Sequence, residues 1–565
     1  MPQPPISEKI LSEEYADIIL ALELNLKDFL ERYSDLGAQN LGGGFGLIHV
    51  PISELPPNPL TVLGYSNIPK LYTPLQDINL EESGILSVQS QPLLGYRGKD
   101  IILGFLDTGI RYQDAVFRKP DGSTRLVGLW DQGDPKGTPP MDMNYGSGYS
   151  REEINAALFS ENPLLLVPSQ DEDGHGTAVA SAACGTPIPE EDFLSPAPEC
   201  DIAVVKLKPA KRYLRDFFLI PDGPAAYQDS DIMTGLLYLI KLANSLEKPL
   251  VICLALGSNQ GDHAGNSPLC EILDLYNTAN GFYTVIAGGN EAGQSHHYFG
   301  KIPAERGTQD VELLVGENDS GFSLELWAKP PELYSISVIS PLGEDIPAVP
   351  ARLGQNATLN FVLERTVIEV HYEIVEAKSG SELILLRFRS PTAGIWTLRI
   401  ENQIFVNGQF HMWLPITFFV NPGTIFLTPD PYTTLTEPST AASPVTVSTY
   451  NAYNGSLYIH SSRGFTRTGG IKPELCAPGV EVRAAAISGR ISLFTGSSMA
   501  SALTAGAMAL LVNWGLDRPL PHLLTSTEMK TFLIRGARRS AALDYPNQSW
   551  GYGTLDLYGI FESFL

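Results

Sequence analysis

The feature that most constrains the fold is an alternation of short apolar runs with a helical pattern between residues 100 and 287. The apolar runs have the length of buried strands and lie at residues 100–106, 201–207, 249–256 and 283–287. Between two of them, residues 230–245 repeat leucine and isoleucine at helical spacing. Strands that alternate with helices form a parallel sheet with both faces covered. The sequence therefore predicts an α/β domain.

A second pattern interrupts this one. Over residues 302–430 the helical spacing disappears, and short β-rich runs follow one another between turn residues. That pattern is typical of an all-β sandwich or jelly roll. A strand at 445–449 and a helix over 498–514 then restore the α/β character. We therefore predict an α/β domain in two parts, residues 92–301 and 431–565, with an inserted β jelly roll at residues 302–430.

The first section, residues 1–91, forms a separate small α+β unit in this prediction. Ser12 is a plausible N-cap, and the apolar spacing after it predicts a helix over residues 12–36. Glycines 42–44 then break the chain, and residues 46–51 read as a short strand. A proline-rich stretch follows, as expected of a loop.

Charge and cysteine usage exclude several classes of function. Acidic residues number 63 against 38 basic ones, for a net charge of −25, so the chain repels phosphate backbones and nucleic acid is not a predicted partner.

No uninterrupted apolar stretch suggests a membrane span. The five cysteines are widely spaced without a C-x-x-C pair, which disfavours a disulfide scaffold or a zinc knuckle. The N-terminus shows no secretory signal. We expect synthesis in the reducing cytoplasm.

Three motifs carry candidate chemistry, in the chain order Asp, His, Ser. Asp107 begins Asp-Thr-Gly at the end of a predicted buried strand, the edge where parallel sheets gather catalytic groups. His175 lies between two glycines at the start of a small-residue helix. Ser498 opens an apolar helix, where free N–H groups can stabilise an oxyanion. Taken singly, the three residues could equally be a turn aspartate, a surface histidine and a helix N-cap.

A fourth motif strengthens the case. Asn290 follows the predicted strand 283–286 within Ala-Gly-Gly-Asn-Glu. Its side chain could be an Asx-turn acceptor, or it could supply a second oxyanion donor beside a nucleophile. Four such motifs in this order indicate a serine peptidase in which Asp107 orients His175 and His175 activates Ser498.

These motifs resemble the subtilisin-like serine protease family, with Ser497 in a slot that the family usually fills with Thr. The resemblance implies that Leu254, Ala255, Leu256 and Gly257 pair with an extended peptide substrate, as an added β-strand would. The small N-terminal section and the β insertion are similar to those of clostridial spore-germination subtilases. That narrower resemblance implies a prodomain that acts as an intramolecular chaperone, a cortex-lytic zymogen as substrate, and a spore-associated protein.

An alternative follows from the same resemblance, which implies that some members of that group are pseudoproteases with altered triads. The alternative is a pseudoprotease that is locked by its own prodomain and acts by binding or signalling. The intact Asp107, His175 and Ser498 favour the enzyme. A degradative protease that leaves the cell is disfavoured by the missing signal.

Autoprocessing is predicted just upstream of the first strand of the α/β domain. Residues 87–92 read as extended and polar, so cleavage is expected after Gln89 or Gln91. Pro92 would follow the bond at Gln91, which makes that bond the poorer candidate.

No cofactor or metal site is predicted. His296 and His297 are adjacent on a predicted strand, so their side chains point to opposite faces and do not share an ion. The acidic run at residues 171–173 lacks the alternating oxygen ligands of a calcium loop and is interpreted as a solvated turn.

Overall fold

The structure is a computed structural model that describes residues 6, 9, 14–21, 25–42, 45–55, 78–353, 355–519 and 521–563. Contacts divide the chain into one unit at Met1–Gln76 and another at Asp77–Leu565. The division falls earlier than the predicted boundary at residue 91. The reason is that Ile85 and Val88 are fully buried in the core of the second unit, so the helices Ile78–Glu82 and Ile85–Ser90 belong to it.

The first unit contains a three-stranded antiparallel sheet. Its strands, in spatial order, are Tyr15–Ala21, Phe45–Pro51 and Gln39–Gly42. The helix Leu26–Arg32 packs on the sheet through Phe29, which meets Ile18 and Ile48. Short 3-10 turns lie at Ser34–Leu36 and Ile52–Glu54. The strand predicted at 46–51 is confirmed, and the single helix predicted over 12–36 is wrong at residues 15–21, which pair with Phe45–Pro51 instead.

The second unit is built on a nine-stranded sheet, which confirms the predicted α/β fold with a parallel sheet. Eight strands follow in spatial order: Ser456–Leu457, Val445–Asn451, Phe282–Ala287, Leu250–Leu254, Ile102–Asp107, Asp201–Lys206, Leu126–Asp131 and Ser147–Ser150. The ninth, Leu475–Pro478, pairs in parallel with Val445–Asn451. The inner pairs are parallel, and only Ser456–Leu457 and Ser147–Ser150 at the ends are antiparallel. A separate hairpin joins Val482–Ala485 to Ile491–Phe494.

The helices that follow Ser90 in this unit mostly pack on the two faces of the sheet, except Pro163–Leu166 and Arg212–Phe218, which bury none of their residues. They are Arg151–Leu158, Pro163–Leu166, His175–Cys184, Arg212–Phe218, Asp229–Ser245, Pro268–Tyr276, Ser497–Leu516, Ser526–Gly536 and Leu557–Glu562. The helix Ser497–Leu516 is apolar on all sides because it lies in the interior, against His175–Cys184 and five strands of the sheet. Among the described residues, it alone is long and apolar enough to cross a bilayer, and 83% of its apolar window is buried inside the domain.

Two antiparallel sheets form a β sandwich between the halves of the α/β domain. The six-stranded sheet has the spatial order His297–Lys301, Gln409–Trp413, Gly321–Ala328, Glu382–Arg389, Val367–Glu373 and Asn356–Asn360. The five-stranded sheet has the order Asp345–Val349, Leu333–Ile339, Gly394–Ile404, Thr308–Val315 and Ile425–Phe426. Both sheets contribute alternate residues to one core, among them Phe322, Leu324 and Trp396. The sandwich begins at residue 297, slightly before the predicted 302.

The six-stranded sheet turns its other face toward the α/β domain. The Trp413 ring stacks on the His263 ring with centroids 4.0 Å apart, and Asn259 donates through Nδ2 to the Leu414 carbonyl (3.2 Å). Gly261 N–H donates to the buried Glu325 carboxylate (3.0 Å). The sandwich is therefore joined to the α/β domain by aromatic stacking and by buried hydrogen bonds.

Candidate active site

The candidate residues meet at one edge of the nine-stranded sheet. Asp107 ends the strand Ile102–Asp107, and Ala255 directly follows the neighbouring strand Leu250–Leu254. Asn290 comes shortly after Phe282–Ala287, which is the next strand along. Since these strands are parallel, their carboxyl ends lie side by side, and this is where open α/β sheets place their sites.

A chain of hydrogen bonds joins Asp107, His175 and Ser498. Nδ1 of His175 donates to Oδ1 of Asp107 over 2.7 Å. Nε2 of His175 lies 3.0 Å from the Ser498 hydroxyl oxygen. Asp107 is buried, and its Oδ1 also accepts the backbone N–H of Thr108 (2.7 Å). The three sequence-predicted residues are thus brought together in the geometry that a nucleophile, a base and an orienting carboxylate require.

The electrostatics of the site favour a charged imidazole. Burial alone would lower the pKa of His175, but the charge and hydrogen bond of Asp107 outweigh it and raise the pKa to about 9. Below that pH, Nε2–H donates to Ser498, whose own hydroxyl can turn to the Ala255 carbonyl 3.4 Å away. Above that pH, Nε2 is free to accept the serine proton.

A buried aspartate that the sequence reasoning missed holds the base in place. Asp171 accepts the hydroxyls of Thr108 (2.8 Å) and Thr177 (2.7 Å) and the backbone N–H groups of Gly174 and Thr177. It therefore ties the end of the Asp107 strand to the first turn of the helix His175–Cys184. The interpretation of residues 171–173 as a solvated turn is wrong for Asp171, which is 2% exposed. The only sequence signal was its position four residues before the histidine.

The two glycines beside His175 allow backbone geometry that a residue with a side chain could not adopt. Gly174 has a φ of 93°, a conformation that side-chain-bearing residues rarely adopt. At Gly176 a Cβ atom would lie 2.3 Å from the carbonyl oxygen of Gly109. The helix start can therefore approach the strand end closely enough for His175 to reach Asp107.

Ser497 and Asn290 fix each other at the start of the helix Ser497–Leu516. The Ser497 N–H donates to Oδ1 of Asn290 (3.0 Å), and the Gly289 N–H donates to the Ser497 hydroxyl (3.2 Å). Because Oδ1 accepts this hydrogen bond, the NH₂ group is the part of the Asn290 amide that can donate to a ligand. The N–H of Ser498 belongs to the first turn, where no intrahelical acceptor exists. These two donors suit an oxyanion beside Ser498.

A cleft of about 750 Å³ runs from His175 past the predicted substrate-binding segment. Leu254, Ala255, Leu256 and Gly257 all line it. The strand ends at Leu254, so Leu256 and Gly257 pair with no strand among the described residues. Their backbone can therefore receive an added extended peptide.

The segment that carries the predicted autocleavage residues is helical up to Ser90 and not extended as expected. Gln89 belongs to the helix Ile85–Ser90, and its Nε2 donates to the carbonyls of Ser195 (2.9 Å) and Pro196 (2.6 Å). Gln91 is the exposed residue that ends this helix. The expectation of an extended segment is therefore wrong up to Ser90, because Ile85 and Val88 anchor it as a helix.

The adjacent histidines have separate partners. His296 Nδ1 lies 2.7 Å from Oε2 of Glu291, and His297 contacts the Asp430 carbonyl and His411. Within the described part of the chain, no group of three or more His, Cys, Asp or Glu side chains has the arrangement of a metal site.

Comparisons with known proteins find similarity over most of the chain. The sequence model of the subtilase family matches residues 98–316 and 428–553. The solved structure of the Clostridium perfringens CspB protease is 30% identical to this chain, with a TM-score of 0.77. The match covers 86% of this chain and 97% of that one.

A curated relative matches over a much shorter stretch. The human membrane-bound transcription factor site-1 protease is 34% identical over 108 residues, which are 18% of this chain and 10% of the relative. The mouse protein of the same name is 33% identical over a stretch of the same length.

Proposed function

Because this chain belongs to the subtilase family of serine peptidases, we propose that it is an endopeptidase whose triad is Asp107, His175 and Ser498. The observation that carries the proposal is the unbroken hydrogen-bond chain from Asp107 through His175 to the Ser498 hydroxyl, with distances of 2.7 and 3.0 Å. His175 also lines an open cleft, which a purely structural role would not require.

The mechanism follows from this geometry. Neutral His175 takes the proton of Ser498 as the serine oxygen attacks a peptide carbonyl, and later donates it to the leaving amine. Asp107 holds the imidazole with Nδ1 protonated and stabilises the imidazolium that forms. The Asn290 NH₂ group and the Ser498 N–H hold the oxyanion, and water then hydrolyses the acyl-enzyme.

Fluorophosphonate labelling tests the proposal directly. We expect a covalent adduct on Ser498 in the full chain and none in Ser498→Ala. Asn290→Ala should slow the labelling by roughly 10²- to 10³-fold, the usual effect of losing one oxyanion donor. A wild-type chain that stays unlabelled while folded would favour the pseudoprotease that binds or signals instead.

The same proposal includes autoprocessing after Gln89 or Gln91, which would separate an N-terminal prodomain. A protease binds its substrate in an extended form, so the helix Ile85–Ser90 must unwind before either bond can be cut. Mass spectrometry of the wild type beside Ser498→Ala tests this. Two chains of the same full mass would contradict it.

We further propose that the physiological substrate is a protein zymogen activated during spore germination. The support is the similarity to the CspB protease and the β insertion between Asn290 and Ser498. Incubation with the pro-form of a cortex-lytic enzyme should give one cleavage that Ser498→Ala fails to make. An intact pro-form in the presence of a chain that labels with fluorophosphonate would exclude this substrate.

A further inference from the structure

The cleft beside His175 is not built by the α/β domain alone. Glu325 and Phe419 of the β sandwich line it. So do three further sandwich residues, Trp327, Leu383 and Phe418, together with Leu214 and Phe218 of the α/β domain. The cleft is continuous from these five side chains to His175 and the segment Leu254–Gly257. The inserted sandwich therefore contributes a wall to the space in which a substrate would lie.

The sandwich residues reach the cleft because the outer face of the six-stranded sheet carries apolar side chains there, beside the polar Glu325 and Arg387. Leu326 and Ile384 face the sandwich core, so their neighbours Trp327 and Leu383, which pair across adjacent strands, face the other way. A sheet face directed at water normally carries polar side chains. Here the pair lines the cleft, and the Trp327 ring also lies against Arg467 of the α/β domain.

The opposite wall is attached to the same sheet. Arg387 projects from the strand that carries Leu383, and its Nε donates to the Phe217 carbonyl (2.7 Å). Its guanidinium also lies 4.7 Å from the centre of the Phe217 ring. The short helix Arg212–Phe218, which supplies Leu214 and Phe218 to the cleft, is thus held at a fixed place by the sandwich.

Phe418 stands at the mouth of the cleft. Its side chain is 74% exposed and its φ is 77°, which is a strained backbone conformation for an aromatic residue. The preceding Thr417 is fixed through its hydroxyl and N–H to Glu291, the neighbour of Asn290 (2.7 and 3.2 Å). An exposed ring held in a strained loop beside the oxyanion turn is suited to contact a ligand.

We propose that Leu214, Phe218, Trp327, Leu383 and Phe418 form a subsite, the sandwich subsite, that selects a large apolar side chain on the acyl side of the scissile bond. The inference rests on the proposed peptidase function. A peptide whose carbonyl is attacked by Ser498 lies beside Ala255 and continues along Leu256 and Gly257. In an extended chain alternate side chains share a face, so the second and fourth residues before the bond are the candidates.

Peptide binding to the Ser498→Ala chain tests the subsite without requiring catalysis. Fluorescent octapeptides would carry either leucine or asparagine at one of the four positions before the bond, and anisotropy would give Kd. At the second or fourth position we expect leucine to bind about tenfold tighter or more, the effect of burying one apolar side chain. Leu383→Asn and Phe418→Ala should each reduce that preference to threefold or less.

The control is Leu363→Asn, since Leu363 is an exposed apolar residue of the sandwich that does not line the cleft. It should leave the preference unchanged. If Leu383→Asn fails to fold, Phe418→Ala still tests the subsite, because Phe418 is exposed. Peptides that fail to bind, or a preference that survives both cleft substitutions, would overturn the subsite.

Labelling of the wild-type chain with fluorophosphonate separates this inference from the proposed function. If Ser498 is unlabelled while leucine is still preferred through Leu383 and Phe418, the subsite stands and the peptidase function fails. If Ser498 is labelled and no preference depends on Leu383 or Phe418, the function stands and the subsite fails.

Discussion

At the scale of single residues, the site depends on contacts that join distant parts of the chain. The motifs predicted Asp107, His175, Asn290 and Ser498 because each lies at a feature that is visible in the local sequence. These features are the end of a strand, neighbouring glycines or the start of a helix. Asp171 had no comparable signature. Its role consists of hydrogen bonds to Thr108 and Thr177 across two elements, and such contacts exist only once the chain is folded.

The raised pKa of His175 predicts an alkaline activity profile. Only the neutral imidazole can accept the serine proton, so the fluorophosphonate labelling rate should increase with pH toward a midpoint near 9. Asp107→Asn removes the charge that raises this pKa and so should move the midpoint to lower pH. By analogy with other triads it should also slow the reaction by roughly 10⁴-fold. The same midpoint in both chains would contradict the assigned role of Asp107.

A buried acid in the sandwich predicts a second pH effect, on stability. Burial outweighs the hydrogen bond from the Tyr334 N–H and raises the pKa of Glu382 to about 8, from 4.5. Between those values the folded chain holds a proton that the unfolded chain has lost. Stability supplied by this group is therefore complete below pH 4.5 and is lost as pH rises toward 8.

Glu382→Gln should remove that dependence, since the amide stays neutral. Urea unfolding at pH 5 and pH 8.5 should show a gain for Glu382→Gln over the wild type at the higher pH only, on the order of a few kcal/mol. Glu373→Gln, at a half-exposed position of the same sheet, is the matched control and should unfold like the wild type. Parallel pH curves for wild type and Glu382→Gln would contradict the prediction.

At the scale of elements, prediction succeeded where the local pattern and the tertiary contacts agree. The parallel strands are continuous apolar runs and the core helix is apolar throughout, so both could be placed from sequence. Residues 15–21 failed because their apolar spacing fits a helix, while pairing with Phe45–Pro51 outweighs that local preference. The cleft wall of the sandwich had no local signal, since a residue such as Leu383 resembles any strand residue.

Gly506 allows the helix that carries Ser498 to pack closely against the end of the helix that carries His175. A Cβ at Gly506 would lie 2.4 Å from Cβ of Pro196 and 2.7 Å from the Ala183 carbonyl oxygen, at the end of the histidine helix. Alanine normally stabilises a helix by about 1 kcal/mol relative to glycine, but overpacking costs about 1–3 kcal/mol. Gly506→Ala should therefore lower the melting temperature and slow labelling of Ser498.

Asn513→Ala is the control for this prediction, because it changes helix propensity at a half-buried position of the same helix. It should unfold no earlier than the wild type in a thermal scan. A more stable Gly506→Ala chain with unchanged labelling would show that the helices are free to separate.

At the scale of the whole molecule, the α/β domain and the sandwich of the second unit share a buried interface. Trp413 of the sandwich is 2% exposed and stacks on His263, His297 and His411. Around this stack, Arg467 of the α/β domain donates to Ser381 of the sandwich (2.9 Å). An interface with this much buried aromatic area should unfold together with the domains that it joins.

Trp413→Ala should destabilise both domains of the second unit by about 3–5 kcal/mol, the usual effect of removing a buried tryptophan. Urea unfolding followed by circular dichroism and by fluorophosphonate labelling should give one transition, shifted equally by both probes. Val375→Ala, at an exposed position of the sandwich, should shift neither. A loss of sandwich structure while labelling persists would show that the domains unfold independently.

The position of the sandwich in the sequence also delays completion of the site during synthesis. His175 and Ser498 are 323 positions apart, and the whole sandwich is encoded between them. At 5–20 residues per second, translation of that interval takes roughly 15–65 s. For that time a nascent chain on the ribosome holds the base and the orienting carboxylate without a nucleophile. A nascent chain therefore cannot cleave itself or a neighbour through this triad until the whole sandwich has been translated.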